Sequence, residues 1–289
     1  MVIVTTKLDG KQLSSKIRGE IKKRVDILKE HGITPCLAVV LVGNDSASQV
    51  YIRNKKRAAA KLGIKTFDKT LPASISEVKL IEMIEQLNQD ESVHGILVQL
   101  PLPKSIDENH VIDAIDPKKD ADGFHPVNIG NLFLDKATLV PCTPHGIIRL
   151  LKEYQIDLTG KNVVIVGRSK IVGTPLIAMM MKENATVTVA HSYTKNLKEL
   201  TKKADVVIAA IGKGQFFDDS YFNENAVIVD VGTNRNENGQ LVGDVDSSKV
   251  ANKVAYLSPV PGGVGPMTIT MLLEQTVQIA EEKLKDGTR

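Results

Sequence analysis

The chain has 289 residues, 42% of them hydrophobic and 25% charged, with a formal net charge of +3. That length accommodates one large domain or two ordinary ones, and the average composition sets aside disordered and fibrous classes. A weak positive balance with no Trp, five Tyr and six Phe lacks the stacking platforms of a nucleic-acid binder, though it suits small anionic ligands.

Cys36 and Cys142 are the two cysteines. One disulfide is arithmetically open, but buried free thiols suit the reducing cytoplasm expected for this chain. No Cys/His grouping has metal-ligand spacing, so no metal is expected. Residues 1–7 lack the apolar core of a signal peptide, and no apolar run reaches about 18 residues, so no membrane span is expected.

Residues 9–31 predict an amphipathic helix, with Leu13, Ile17, Ile21, Val25 and Leu28 spaced by three and four. Residues 36–42 form a continuous apolar run, the pattern of a strand buried on both faces. Asp45 or Ser46 can cap a helix that stops at Gly63. A strand follows at 65–71. Ser74 and Glu77 read as a capping box before a helix at 76–89. A strand at 94–100 ends on Pro101 and Pro103. This alternation implies a mostly parallel sheet with helices on both faces.

Residues 101–141 read as irregular, and a long irregular stretch in a compact enzyme is usually functional. Order returns at Thr143-Pro144, a cap with Pro at the first helical position, in a helix to about Tyr154. A second alternation comprises strand 162–166, helix 174–184, strand 186–190, helix 196–203 and strands 205–211, 226–231 and 254–257. A last helix covers about 266–284. The expected fold class is therefore α/β in two domains joined near residue 145, each with a mostly parallel sheet flanked by helices.

Strand 162–166 runs into Gly167-Arg168-Ser169-Lys170-Ile171-Val172-Gly173. Such a turn can present backbone N–H groups to a pyrophosphate at a helix N-terminus, as in Rossmann-like domains. The pattern is incomplete, because Ser169 stands where a second glycine is usual, and an ordinary tight turn fits as well. The next strand ends in His191-Ser192 rather than in the acid that holds a ribose 2′-hydroxyl. No carboxylate there would repel a 2′-phosphate, Arg168 can pair with one and Ser192 can hydrogen-bond to it. NADP is favoured over NAD. His191 also fits a neutral surface residue.

In the first half, Tyr51 and Lys55 are four apart on one predicted helix and share a face. A solvated face is the competing explanation, since Arg53, Lys56, Arg57 and Lys61 are near. Gln99-Leu100-Pro101-Leu102-Pro103 puts an amide at the carboxyl end of a parallel strand, where α/β sheets bind ligands. Asp120-Ala121-Asp122-Gly123-Phe124 adds carboxylates, although an Asp before Gly is often a turn residue.

Together these segments resemble the bifunctional methylenetetrahydrofolate dehydrogenase/cyclohydrolase family. The resemblance is carried by Tyr51-Ile52-Arg53-Asn54-Lys55, by the segments at 99–103 and 120–124, by Pro141-Cys142-Thr143-Pro144 and by 167–173. Asp230-Val231-Gly232-Thr233-Asn234, Gly243-Asp244-Val245-Asp246 and Pro259 through Thr268 continue it. It implies oxidation of 5,10-methylenetetrahydrofolate with NADP, then hydrolysis of the methenyl product to 10-formyltetrahydrofolate, in one-carbon metabolism that serves purine biosynthesis. It implies a folate-binding catalytic domain at 1–144, completed by a helix at 267–289, and a Rossmann-like NADP domain at 145–266. A cleft between the domains, a homodimer, no nucleic-acid partner and no membrane partner are also implied.

By the same resemblance Lys55 is the central catalytic group. Burial and positive neighbours would lower its pKa so that it relays protons during hydrolysis. Gln99 would orient Lys55, Tyr51 would stack on the folate, and Asp122 would accept two hydrogen bonds from the pterin. Leu100, Pro261, Gly262 and Gly263 would line the substrate, while Gly167, Arg168, Ser169, Ser192 and Thr233 would hold the cofactor. Two other readings remain: a shikimate-dehydrogenase-like NADP oxidoreductase, and a catalytically silent nucleotide-binding module.

Overall fold

The computed structural model describes residues 4–287. It divides into two compact units. One comprises the chain up to Ser15 and Pro141–Thr268; the other comprises Lys16–Val140 and Ile269 onward.

The second of these is built on three parallel strands, β2 (Cys36–Val42), β3 (Lys65–Leu71) and β4 (Gly95–Val98), in the order β3-β2-β4. All seven residues of the central β2 are buried, which is why its sequence is continuously apolar. Around the sheet run α1 (Gly10–Glu30), α2 (Ser46–Leu62) and α3 (Glu77–Gln89). Ala38, Val40, Leu80, Ile84, Ile96, Val111 and Ile115 belong to its core.

Asp45 caps α2 by accepting from the Ser48 N–H, and Gly63 closes it in the left-handed region. The N-cap of α3 is Ser76 and not the expected Ser74. A turn in which the Ile75 N–H donates to Pro72 O at 3.0 Å uses Ser74, so the cap falls two residues later. Glu77 instead accepts from the Asp107 N–H at 2.7 Å and contacts His110 Nδ1 at 2.8 Å. The stretch at 101–141 is less irregular than its sequence suggests. It holds α4 (Glu108–Asp113) and α5 (Pro126–Phe133), six and eight residues long and too short to display a helical period.

The other unit carries a six-stranded sheet, joined throughout by parallel pairing, in the order β1-β11-β8-β7-β5-β6. These are β1 (Thr6–Lys7), β5 (Asn162–Val166), β6 (Thr186–Ala190), β7 (Val206–Ala209), β8 (Val227–Asp230) and β11 (Tyr256–Leu257). The helices are α6 (Cys142–Glu153), α7 (Gly173–Lys182), α8 (Leu197–Lys203) and α9 (Ser247–Val250), with a 3-10 turn at Asp219–Tyr221. A small antiparallel hairpin joins β9 (Asn234–Arg235) to β10 (Leu241–Val242). Val164, Val166, Val207, Phe217, Ile228 and Leu257 pack in its core.

The first residues depart from the expected division, because Thr6 and Lys7 pair with Tyr256 and Leu257 and so extend the six-stranded sheet. The last helix, α10 (Val264–Gly287), belongs to the three-stranded unit from Ile269 onward. There Arg24 grips Glu281 at 2.8 and 2.7 Å, and Arg18 donates to Thr270 Oγ1 at 2.9 Å. Cys36 and Cys142 are both buried. Among the described residues no helix is long and apolar enough to cross a membrane.

Candidate active site

Ser48, Ile52, Lys55, Ala59 and Leu62 form the buried stripe of α2. Their alternating spacing of four and three is what one helical face requires. Lys55 is the charged member of that stripe and is only 4% exposed. The solvated-face explanation therefore holds for Arg53, Arg57 and Lys61, which are exposed, and fails for Lys55. A buried ammonium without partners is costly. Lys55 Nζ donates to Gln99 Oε1 at 3.2 Å and lies 4.8 Å from the centre of the Tyr51 ring.

Gln99 continues the ladder one residue beyond β4, its N–H donating to Val40 O at 2.9 Å. Its side-chain Nε2 donates to Leu100 O at 2.8 Å. With the amide nitrogen committed to a carbonyl, the oxygen must face the lysine. The Leu100–Pro101 bond is cis. In this sheet the chain passes from β2 to β3 on one side and to β4 on the other, so Gln99 stands at the carboxyl edge of the switch point.

The two carboxylates of the 120–124 segment do different work. Asp120 is 2% exposed and is the turn residue. It accepts from the Gly123 N–H at 2.9 Å, the His125 N–H at 2.8 Å and Asn128 Nδ2 at 2.9 Å. Asp122 makes no hydrogen bond among the described residues. Loss of solvent pushes its carboxyl up to about 6; the Lys55 charge opposes that shift and Asp120 adds to it. Asp122 therefore lies within electrostatic reach of Lys55, with its carboxyl oxygens uncommitted among the described residues.

Gln275, 3% exposed, braces this segment. Its Nε2 donates to Ala121 O at 2.8 Å, and its Oε1 accepts from the Val140 N–H at 3.0 Å. Neither Asp120 nor Gln275 was assigned a role from sequence. Gln275 gives no local signal, because its partners lie more than a hundred residues away.

Tyr51, Lys55, Gln99 and Asp122 are thus brought together in the three-stranded unit, with Leu100 beside Gln99. Pro261, Gly262 and Gly263 lie in the other unit, where Gly262 O accepts from the Lys11 N–H at 2.9 Å. A side chain on Gly10 would collide with Gly263 O.

The six-stranded sheet has its own switch point, since β5 lies between β6 and β7. Gly167 leaves β5 there with φ 132°, and a Cβ on it would strike Ala210 O. A Cβ on Gly173 would strike Gly167 O. The two glycines stand where backbone meets backbone, so the loop folds tightly onto the start of α7 without a glycine between them. Ser169 Oγ accepts from the Val172 N–H at 3.2 Å, and Ser169 O from the Thr174 N–H at 3.0 Å. The close backbone approach at the start of α7 leaves a shape that fits a phosphate group at a helix N-terminus.

Arg168 is exposed and pairs with no carboxylate among the described residues; its Cζ lies 5.9 Å from the centre of the Tyr193 ring. Ser192 is exposed after β6, and Thr233 is exposed after β8. His191 Nδ1 accepts from the Tyr193 N–H at 3.2 Å, so His191 braces the turn that carries Ser192.

Two buried acids that sequence reasoning left without a role shape the neighbouring loops. Asp244 is fully buried and accepts from the N–H groups of Ile211, Gly212 and Lys213 at 2.6, 3.0 and 2.8 Å, and from Asn234 Nδ2 at 2.9 Å. Asp230 accepts from the N–H groups of Gly232, Asp244 and Val245 at 2.9 Å each. Burial pushes its carboxyl up to about 7 against those three bonds. The available signal was an acid within two residues of a glycine at each loop, Asp230 two before Gly232 and Asp244 directly after Gly243.

Residues 8–122 match the tetrahydrofolate dehydrogenase/cyclohydrolase catalytic domain, and residues 141–284 match the NAD(P)-binding domain of the same family. A bifunctional protein FolD of Ligilactobacillus salivarius is 56% identical over 282 residues, covering 98% of this chain and 99% of that protein. The bifunctional FolD methylenetetrahydrofolate dehydrogenase/cyclohydrolase of Campylobacter jejuni superposes with a TM-score of 0.95 at 48% identity, over 97% of this chain and 100% of that one. The methylenetetrahydrofolate dehydrogenase-cyclohydrolase (FolD) of Trypanosoma brucei, complexed with NADP cofactor and an inhibitor, gives 0.93 at 35% identity, over 98% and 99%. Shikimate dehydrogenase from Thermus thermophilus shares the fold alone, at 13% identity and a TM-score of 0.54. The alternative of a shikimate-dehydrogenase-like enzyme is accordingly set aside: the chain belongs to the tetrahydrofolate dehydrogenase/cyclohydrolase family.

Proposed function

We propose that this enzyme oxidises 5,10-methylenetetrahydrofolate with NADP and hydrolyses the methenyl product to 10-formyltetrahydrofolate, with Lys55 as the central catalytic group. The observation that carries the proposal is the buried Lys55 Nζ, held by the Gln99 amide and within electrostatic reach of an Asp122 carboxyl that makes no hydrogen bond among the described residues.

The methylene carbon is bonded to two nitrogens, so hydride loss leaves a cation that both nitrogens share. That step asks mainly for positioning. When bound, NADP supplies the hydride acceptor. Hydrolysis asks for more, because the attacking water must shed a proton while a ring nitrogen gains one as its C–N bond breaks. Nζ of Lys55, fixed by Gln99, takes the proton as the amine and returns it as the ammonium. Asp122 accepts two N–H bonds from the amino-pyrimidine edge of the pterin, a geometry suited to a carboxylate. Tyr51 stacks on the folate ring. On the cofactor side, the Gly167–Gly173 loop takes the pyrophosphate, Arg168 and Ser192 take the 2′-phosphate, and Thr233 offers its backbone.

A silent nucleotide-binding module is disfavoured, because Lys55, Gln99 and Asp122 stand together in one cluster. The proposal includes a homodimer, which sedimentation of the purified protein reads directly. Replacing Lys55 by Met should abolish hydrolysis of the methenyl compound, followed by absorbance, and leave NADP affinity unchanged. Full hydrolytic activity in Lys55→Met would overturn the assignment.

A further inference from the structure

Tyr193 is 80% exposed, an unusual position for a large aromatic ring in an otherwise well-packed α/β unit. Its surroundings are ordered. His191 Nδ1 holds its N–H at 3.2 Å, the His191 ring meets its ring edge-on at 6.1 Å, and the Thr194 N–H donates to His191 O at 2.8 Å. The Arg168 guanidinium carbon lies over the ring, 5.9 Å from its centre. Arg168 comes from the turn after β5 and Tyr193 from the turn after the adjacent β6, so the contact spans two neighbouring strand ends.

We propose that Tyr193 is a specificity-determining positioning residue for NADP: its ring holds the Arg168 guanidinium ready for the 2′-phosphate. This rests on the assignment of Arg168 to that phosphate. A guanidinium stacked on an aromatic face keeps its in-plane N–H donors available, whereas one tied to a carboxylate would spend them. Arg168 has no carboxylate among the described residues, so the ring is the partner that restricts it without competing for the phosphate. The ordering cost of a long, exposed side chain is thereby met before the cofactor arrives. NAD has no 2′-phosphate and should gain nothing from the arrangement.

The test is calorimetric titration of the whole protein with NADP and with NAD, which requires no turnover. Tyr193→Ala should weaken NADP binding about twofold to fivefold, the range of an exposed cation–π contact, and leave NAD binding unchanged. Tyr193→Phe keeps the ring and should restore NADP affinity. In an Arg168→Ala background, Tyr193→Ala should have no further effect. Equal losses for NADP and NAD in Tyr193→Ala, or additive losses in the double variant, would overturn the role of Tyr193 while leaving the Arg168 assignment standing. If Arg168→Ala itself leaves the NADP-to-NAD ratio unchanged, both readings fall.

Discussion

Lys55 Nζ donates to Gln99 Oε1 across 3.2 Å, and the other end of the same amide is tied to Leu100 O at 2.8 Å. The second bond gives the first its direction, because an amide anchored through its nitrogen can offer the lysine only an acceptor. Gln99→Leu should remove that acceptor at nearly constant volume. Cyclohydrolase kcat should fall about 10- to 100-fold, part of what a positioned proton-transfer group supplies, with NADP affinity unchanged in direct titration. An unchanged hydrolytic kcat would show that Gln99 does not orient Lys55.

Asp122 offers a separable trade between stability and binding. Its carboxyl is raised from 3.8 to about 6, chiefly by loss of solvent. An acid with a raised folded pKa favours the fold fully only below its unfolded value, and that advantage disappears as pH rises through the folded one. At pH 8 the ionised group therefore costs stability. Asp122→Asn should raise the melting temperature at pH 8 by about 2–6 °C, with the difference vanishing below pH 4. Folate affinity should fall by about 10- to 100-fold, since a neutral amide cannot accept two N–H bonds as a carboxylate does. A lower melting temperature at pH 8 would mean that the Lys55 charge outweighs desolvation.

How far the sequence could be read depended on distance along the chain. The continuous apolar run of β2 and the cap-and-stop signals of α2 are local and were legible. So were Tyr51 and Lys55, one helical turn apart, although burial of Lys55 needed the whole stripe from Ser48 to Leu62. The divided roles of Asp120 and Asp122 were not legible, because only the fold turns one carboxylate toward three donors and leaves the other open. Gln275 was invisible for the same reason, acting on Ala121 from the far end of the chain. The short elements α4, α5, β1 and β9–β10 carry too few residues to show a period.

The glycines of the cofactor loop bear directly on the incomplete fingerprint. A side chain on Gly173 would meet Gly167 O and the Arg168 backbone, neither of which can yield without moving the loop off α7. Gly173→Ala should destabilise by about 1–3 kcal/mol, read by urea unfolding, and weaken NADP and NAD alike because the pyrophosphate seat is common to both. A variant as stable as the parent with unchanged cofactor affinities would show that this close approach is not needed.

His145 on α6 sets a stability limit on the acid side. Its Nδ1 is buried and has no hydrogen-bond partner among the described residues. Burial first, then the charges of Arg149 and Lys152, depress the imidazole from 6.5 to about 4. For a base with a lowered folded pKa the contribution is present above the unfolded value and is lost as pH falls toward the folded one, because the unfolded chain takes up the proton first. Between pH 7 and pH 5 this residue should remove about 1–2 kcal/mol, after allowance for its partial exposure. In His145→Leu there is neither a proton to take up nor an orphaned ring nitrogen to bury. The variant should therefore lose less stability than the parent over that interval when urea unfolding is compared at the two pH values. Parallel losses in the two proteins would place the acid sensitivity of the fold elsewhere.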